Sequence, residues 1–122
     1  MCLTNLIEKM MAGDRSALAR LFTIIEQDKH AAGSLSAALH SHVGKSYCIG
    51  VTGPPGAGKS TIIDSLVHLS RAEGLTVGVL AIDPSSVFTG GAILGDRIRM
   101  NDHILDSGVF VRSIATRGIT GG

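Results

Sequence analysis

Apolar positions recur at helical spacing through the first third of the chain, and then the period changes. Leu3, Leu6, Ile7 and Met10 fall on one helix face, and Gly13 closes that segment. Asp14 is placed to cap a second helix, whose apolar residues Leu18, Leu21, Phe22 and Ile25 follow at i, i+3, i+4 and i+7. The polar run "EQDKHAAGS" predicts a break, with a shorter helix over 35–42. The composition changes at 43–45. "SYCIGVTG" (46–53) then predicts a buried strand, short, apolar and ended by glycine. A helix is predicted over 60–73, with Ile62, Ile63, Leu66, Val67 and Leu69 as its buried stripe and Gly74 at C′. "LTVGVLAID" predicts a second buried strand and "VFVRSIA" a third. The first two strands are apolar almost throughout, the pattern of a parallel sheet covered on both faces. Strand, helix, strand makes a βαβ unit. Between the second and third strands, "PSSVFTGGAILGDRIRMNDHILDSG" has helical character only in "AILGDRIRMNDHIL", where Gly95 interrupts it. A segment of this length without firm structure is usually functional or disordered. No internal repeat is present.

Composition narrows the picture. A chain of 122 residues with 44% hydrophobic and 17% charged residues reads as one globular domain. Aromatics make up only 3%, so Val, Ile, Leu and Ala must fill its core. The formal net charge of +1, with no basic run, gives no reason to expect a nucleic-acid partner. No apolar stretch approaches the about 20 residues of a membrane span, so no membrane association is expected. Glu8 and Lys9 interrupt the apolar run that a signal peptide needs. The expected location is the cytoplasm, or a mitochondrial matrix if a transit peptide has been removed. Cys2 and Cys48 are expected to be free thiols, with Cys48 buried as a small hydrophobe. The histidines do not suggest a metal site: His40 and His42 are two apart and share no helix face.

The chemistry concentrates in "GVTGPPGAGKST". Gly53, Gly58, Lys59 and Ser60 satisfy G-x-x-x-x-G-K-[ST], the P-loop, between an apolar strand pattern and a helix pattern. Positions bare of side chains let successive backbone N–H groups converge on phosphate oxygens. The helix that follows points its N-terminus, the positive end of its dipole, at the same anion. The nucleotide-binding residues are therefore Gly53, Pro54, Pro55, Gly56, Ala57, Gly58, Lys59, Ser60 and Thr61. Lys59 supplies a mobile charge for the β- and γ-phosphates, and the Ser60 hydroxyl suits Mg²⁺.

Two acidic residues extend the candidate site. Asp83 ends the second strand, on the edge where ligands gather in a parallel sheet. It can serve Mg²⁺ directly or through water, or it can be a turn residue, since Asp-Pro-Ser-Ser is good turn chemistry. Asp96, in "GDR", reads as an ordinary solvated turn by itself. Its place in a glycine-rich loop also fits a switch that orders around Mg²⁺ and the γ-phosphate. Arg97, Arg99, Arg112 and Arg117 can offset phosphate charge or lie on the surface.

"GVTGPPGAGKST", "AIDPSS", "GGAILGDRIRM" and "FVRSIATRGITGG", in that order, resemble the MeaB/ArgK family of methylmalonyl-CoA mutase-associated GTPases, to which the methylmalonic aciduria type A protein belongs. The helical start, "ALARLFTIIEQ", resembles that family's N-terminal arm. The resemblance implies an α/β P-loop NTPase fold of SIMIBI type, a parallel sheet with flanking helices. Residues 1–44 would be the helical arm and 45–122 the N-terminal half of the GTPase domain. It implies GTP as substrate and Mg²⁺ as cofactor. It also implies homodimerisation in the full-length protein, and a cobalamin-dependent mutase as the client whose cofactor loading and protection are chaperoned. By position, Lys59 and Asp96 take catalytic roles, and Ser60, Asp83 and Asp96 lie near the metal, with Asp96 in switch I. The family's third acidic strand motif, its Asn-Lys-x-Asp guanine-reading motif and its dimerising helices have no counterpart here. The sequence is therefore expected to be the N-terminal portion of a longer protein, an incomplete domain with little turnover of its own. Two alternatives stay open: a small-molecule P-loop kinase and a non-catalytic nucleotide-binding module.

Overall fold

The computed structural model describes residues 2–83, 103 and 105–115. The chain divides into two compact units, Met1–Ile49 and Gly50–Gly122. The first is helical. α1 spans Leu3–Met11, α2 Arg15–Gln27 and α3 Lys29–Leu39, and a 3₁₀ turn follows at His40–His42. The expected stop at Gly13 forms as a Schellman turn. Gly13 takes φ 93° and donates to Met10 O, and Asp14 N donates to Lys9 O. Asp14 caps α2 as expected: its Oδ1 accepts from Ser16 N at 2.8 Å and Ala17 N at 3.2 Å.

The break expected at "EQDKHAAGS" shrinks to one residue. Asp28 accepts from His30 N and Ala31 N, so the alanine-rich run behind it becomes helix instead of linker. The core of this unit is Leu6, Ala17, Leu21 and Leu35, with Leu3, Ile7, Met10, Ile24 and Leu39 packed against it. The face of α2 is thus rotated from the expected one: Ala17 and Leu21 are buried, whereas Ile25 faces solvent. Each fully buried leucine contributes roughly 1.5–3 kcal/mol relative to exposure.

The second unit carries α4 (Lys59–Ala72), β1 (Val77–Asp83) and β2 (Val109–Ala115). β1 and β2 pair in parallel, with Val77 opposite Val109 and Asp83 opposite Ala115, as the apolar runs predicted. α4 ends in a second Schellman turn, with Gly74 at φ 77°, Gly74 N donating to Arg71 O and Leu75 N to Ser70 O. Arg71 then ties three elements together. Its Nε and Nη2 donate to the two Asp106 oxygens at 2.8 and 3.0 Å, and its Nη1 donates to Leu75 O at 2.7 Å. This bidentate pairing holds the Asp106 carboxyl below the usual carboxylate range, and the Gly108 N–H bond lowers it further. Val77 N donates to Gly108 O, so the same turn sets the start of the β1–β2 register.

Four expectations fail between residue 46 and the end of β1. Residues 46–53 form no strand: among the described residues the only ladder joins β1 to β2. Tyr47 and Ile49 in this run are exposed. Cys48 lies in this run and is exposed rather than buried. The stripe of α4 is also narrower than expected. Val67 is buried and Ile63 half-buried, whereas Ile62 and Leu69 lie outward. Finally, β1 is covered on one face only. Val77, Val79 and Ala81 are half-buried, whereas Leu80 and Ile82 on the opposite face are exposed.

Candidate phosphate-binding turn

The turn that enters α4 is built from backbone. Ala57 N donates to Pro54 O, and Gly56 and Gly58 take φ of 76° and 91°, where a side chain would be strained. Gly58 is the N-cap of α4. It offers no side-chain cap, and the first turn holds no acidic residue. The first N–H groups of a helix have no partner within the helix. Here the sequence supplies no carboxylate or hydroxyl cap at the N-cap position, and the helix dipole adds positive potential at the same point.

Lys59 folds back over this turn. Its Nζ donates to Gly53 O at 2.7 Å and Pro54 O at 2.8 Å. The ammonium is therefore held beside the loop by two neutral acceptors. An anion at the helix start would offer it a stronger, charge-assisted partner. Gly53 lies under this side chain, and a Cβ there would meet Ala57 Cβ at 3.7 Å and Lys59 Cδ at 3.8 Å, an ordinary contact. Ser60 is half-buried in the first turn, and Thr61 beside it is exposed.

The remaining site residues are placed less fully. Asp83 is the last residue of β1. Asp96, Arg97, Arg99 and Arg117 lie outside the described residues, as does most of the segment after Asp83. Arg112 lies on β2, opposite Leu80. The structure thus places Gly53–Gly58 in one turn and Lys59, Ser60 and Thr61 at the start of the helix that follows it. The return of Lys59 onto its own loop carbonyls has no signal in the sequence.

An α/β chain with a glycine-rich, lysine-bearing turn ahead of a helix has the arrangement by which proteins commonly hold phosphate groups. The chain belongs to the family of the methylmalonyl Co-A mutase-associated GTPase MeaB, whose family model matches residues 18–122. It is 57% identical over 118 residues to a Pyrococcus abyssi protein that carries a GTPase name, covering 97% of this chain and 36% of that protein. It is 42% identical over 124 residues to the GTPase ArgK of Escherichia coli, covering 98% of this chain and 38% of ArgK. It is 44% identical over 116 residues to the fused isobutyryl-CoA mutase of Cupriavidus metallidurans, covering 91% of this chain and 10% of that protein. The chain therefore spans a little over a third of the length of its GTPase relatives. No helix among the described residues is long and apolar enough to cross a membrane.

Proposed function

We propose that Gly53–Thr61 is the triphosphate-binding loop of a GTPase that serves a cobalamin-dependent acyl-CoA mutase. The observation that carries this reading is the start of α4: a left-handed Gly58 with no side-chain cap, followed by a lysine whose ammonium rests on loop carbonyls. On binding, the loop N–H groups take the phosphate oxygens, and Lys59 exchanges the Gly53 and Pro54 carbonyls for the outer phosphates. That exchange places positive charge where negative charge grows during transfer to water, which is how phosphoryl-transfer sites act. The oxygen donors Ser60, Asp83 and Asp96 suit Mg²⁺, a hard cation that supplies charge neutralisation when bound.

In this reading residues 1–44 form the arm and 45–122 the first half of a P-loop GTPase domain of SIMIBI type. The full-length protein is a homodimer, and a mutase is its client. The partner class is supported by relatives in which a matching segment belongs to a fused isobutyryl-CoA mutase. Titrating the chain with GTP, with and without Mg²⁺, tests the site. The reading expects Mg²⁺ to strengthen GTP binding, and Asp96→Asn to reduce that gain. A Mg²⁺ effect unchanged in Asp96→Asn removes Asp96 from the site, and absence of GTP binding removes the loop.

A further inference from the structure

A second cluster of polar groups lies further along α4. Asp64 and His68 are four residues apart and so share a face of that helix. His103, brought in from 35 residues further along, is buried at 4% exposure. Its Nε2 sits 2.7 Å from Asp64 Oδ1. The His68 and His103 rings meet edge to face with centroids 4.7 Å apart. One ligand atom from each of the three lies within 4.8 Å of the others. Ligands at about 2.0–2.1 Å from a tetrahedral ion stand about 3.3 Å apart, so small side-chain rotations close the set.

We propose that Asp64, His68 and His103 form a binding site for a divalent transition-metal ion of the Zn²⁺, Co²⁺ or Ni²⁺ class, separate from the nucleotide's Mg²⁺. Two imidazoles with one carboxylate favour these ions over Mg²⁺, which prefers oxygen donors throughout. The ion takes the place of the hydrogen shared between His103 Nε2 and Asp64 Oδ1, and the neutral His103 ring then carries its proton on Nδ1. The balance of the ligands leaves one positive charge, which the exposed side of His68 lets water screen. A purely structural tie would account for His103 and Asp64 alone. The turn at 105–108 is already fastened to α4 by Arg71 and Asp106, and the third ligand, His68, is exposed and adds only its edge-to-face ring contact to such a tie. Ser60, Asp64 and His68 repeat at four-residue steps, so the site lies along the same α4 face as the P-loop serine, with about 6 Å of rise per step.

The test is a Co²⁺ titration of the chelator-treated chain, free of nucleotide and Mg²⁺, followed by visible absorption. The expected result is a saturable spectrum at one ion per chain, which Zn²⁺ bleaches. His68→Ala, an exposed position whose loss leaves the circular dichroism unchanged, should weaken Co²⁺ by more than the about 10–100-fold that removing an outer-shell partner costs. The triple variant His30→Ala/His40→Ala/His42→Ala should bind as the parent does. A titration without a saturable spectrum, or one unchanged by His68→Ala, overturns the proposal and leaves only a structural hydrogen bond. No nucleotide is present, so the outcome is independent of the GTPase reading.

Discussion

α2 and α3 of the first unit begin in the opposite way to α4 of the second, whereas α1 starts behind Cys2 with no side-chain cap. α2 and α3 each start behind an aspartate whose carboxylate accepts two backbone N–H groups, from Ser16 and Ala17 in one case and His30 and Ala31 in the other. α4 starts behind a glycine that caps nothing. An aspartate cap satisfies orphan donors and sets a negative charge against the dipole, contributing about 1 kcal/mol. A glycine gives up part of that stabilisation and leaves both donors and dipole to a ligand. Of the four α-helix starts among the described residues, two are closed by a carboxylate. Of the two without a side-chain cap, α4 alone combines a left-handed glycine with a lysine folded back over the turn, and under the proposed function that start is kept open for an anion. Lys59 marks the same division, since among the described residues its ammonium meets only neutral carbonyls of its own loop.

The comparison breaks most sharply if a carboxylate is placed at the open end. Gly58→Asp should weaken GTP binding on the order of 100-fold, the cost of losing one or two charge-assisted hydrogen bonds and adding repulsion. Gly58→Asn carries the same shape and a comparable backbone strain without the charge, so its loss should be smaller. Equal losses in an equilibrium titration would assign the effect to strain alone. Removing the closed ends should do the reverse. Asp14→Ala and Asp28→Ala should each cost about 1 kcal/mol in urea unfolding and leave GTP affinity unchanged. A cap variant that alters GTP affinity would end the division of labour between the helix starts.

The smallest expected effect lies at the other end of α4. Asp106 has its folded-state pKa lowered, so its contribution is fully present above its unfolded value near 4 and fades as pH falls through the folded one. Asp106→Asn should therefore lower the melting temperature slightly near neutrality, change it little at acid pH below the folded value, and so flatten the acid side of the profile. A parallel profile shifted down at every pH would show that the charge is not what matters. Gly108 bears on the same contact. A Cβ there would collide with the Arg71 guanidinium, which could yield only by giving up its bonds to Asp106 and Leu75.

Local signals in the sequence were read well, and signals that depend on distant partners were not. Asp14 as a cap, Gly13 and Gly74 as helix stops and the strand over 109–115 all follow from neighbouring residues, and all appear in the structure. Asp28 was misplaced because an aspartate in a polar run caps a helix or sits in a loop equally well, and only its bonds to His30 and Ala31 decide. Residues 46–53 have strand composition, but a strand exists through its partner, and the only ladder among the described residues is that of β1 with β2. Of the P-loop, residue identity and position before a helix were legible. The inward fold of Lys59 was not. The Asp64–His68 spacing was visible in the sequence, whereas the arrival of His103 beside it is a tertiary fact, as is the reach of Arg71 to Asp106.

The central claim is that the open start of α4 and the lysine behind it exist for the outer phosphates of a nucleotide. Lys59→Ala tests this most directly, through paired equilibrium titrations of the parent and the variant with GTP and with GMP. Lys59 is half-buried at the loop and, among the described residues, bonded only to loop carbonyls, so the helical circular dichroism should be unchanged. The account predicts that GTP binding falls about 10–100-fold, the worth of a hydrogen bond to a charged group, and that GMP binding falls far less. Equal losses for GTP and GMP, or no loss for either, would contradict it.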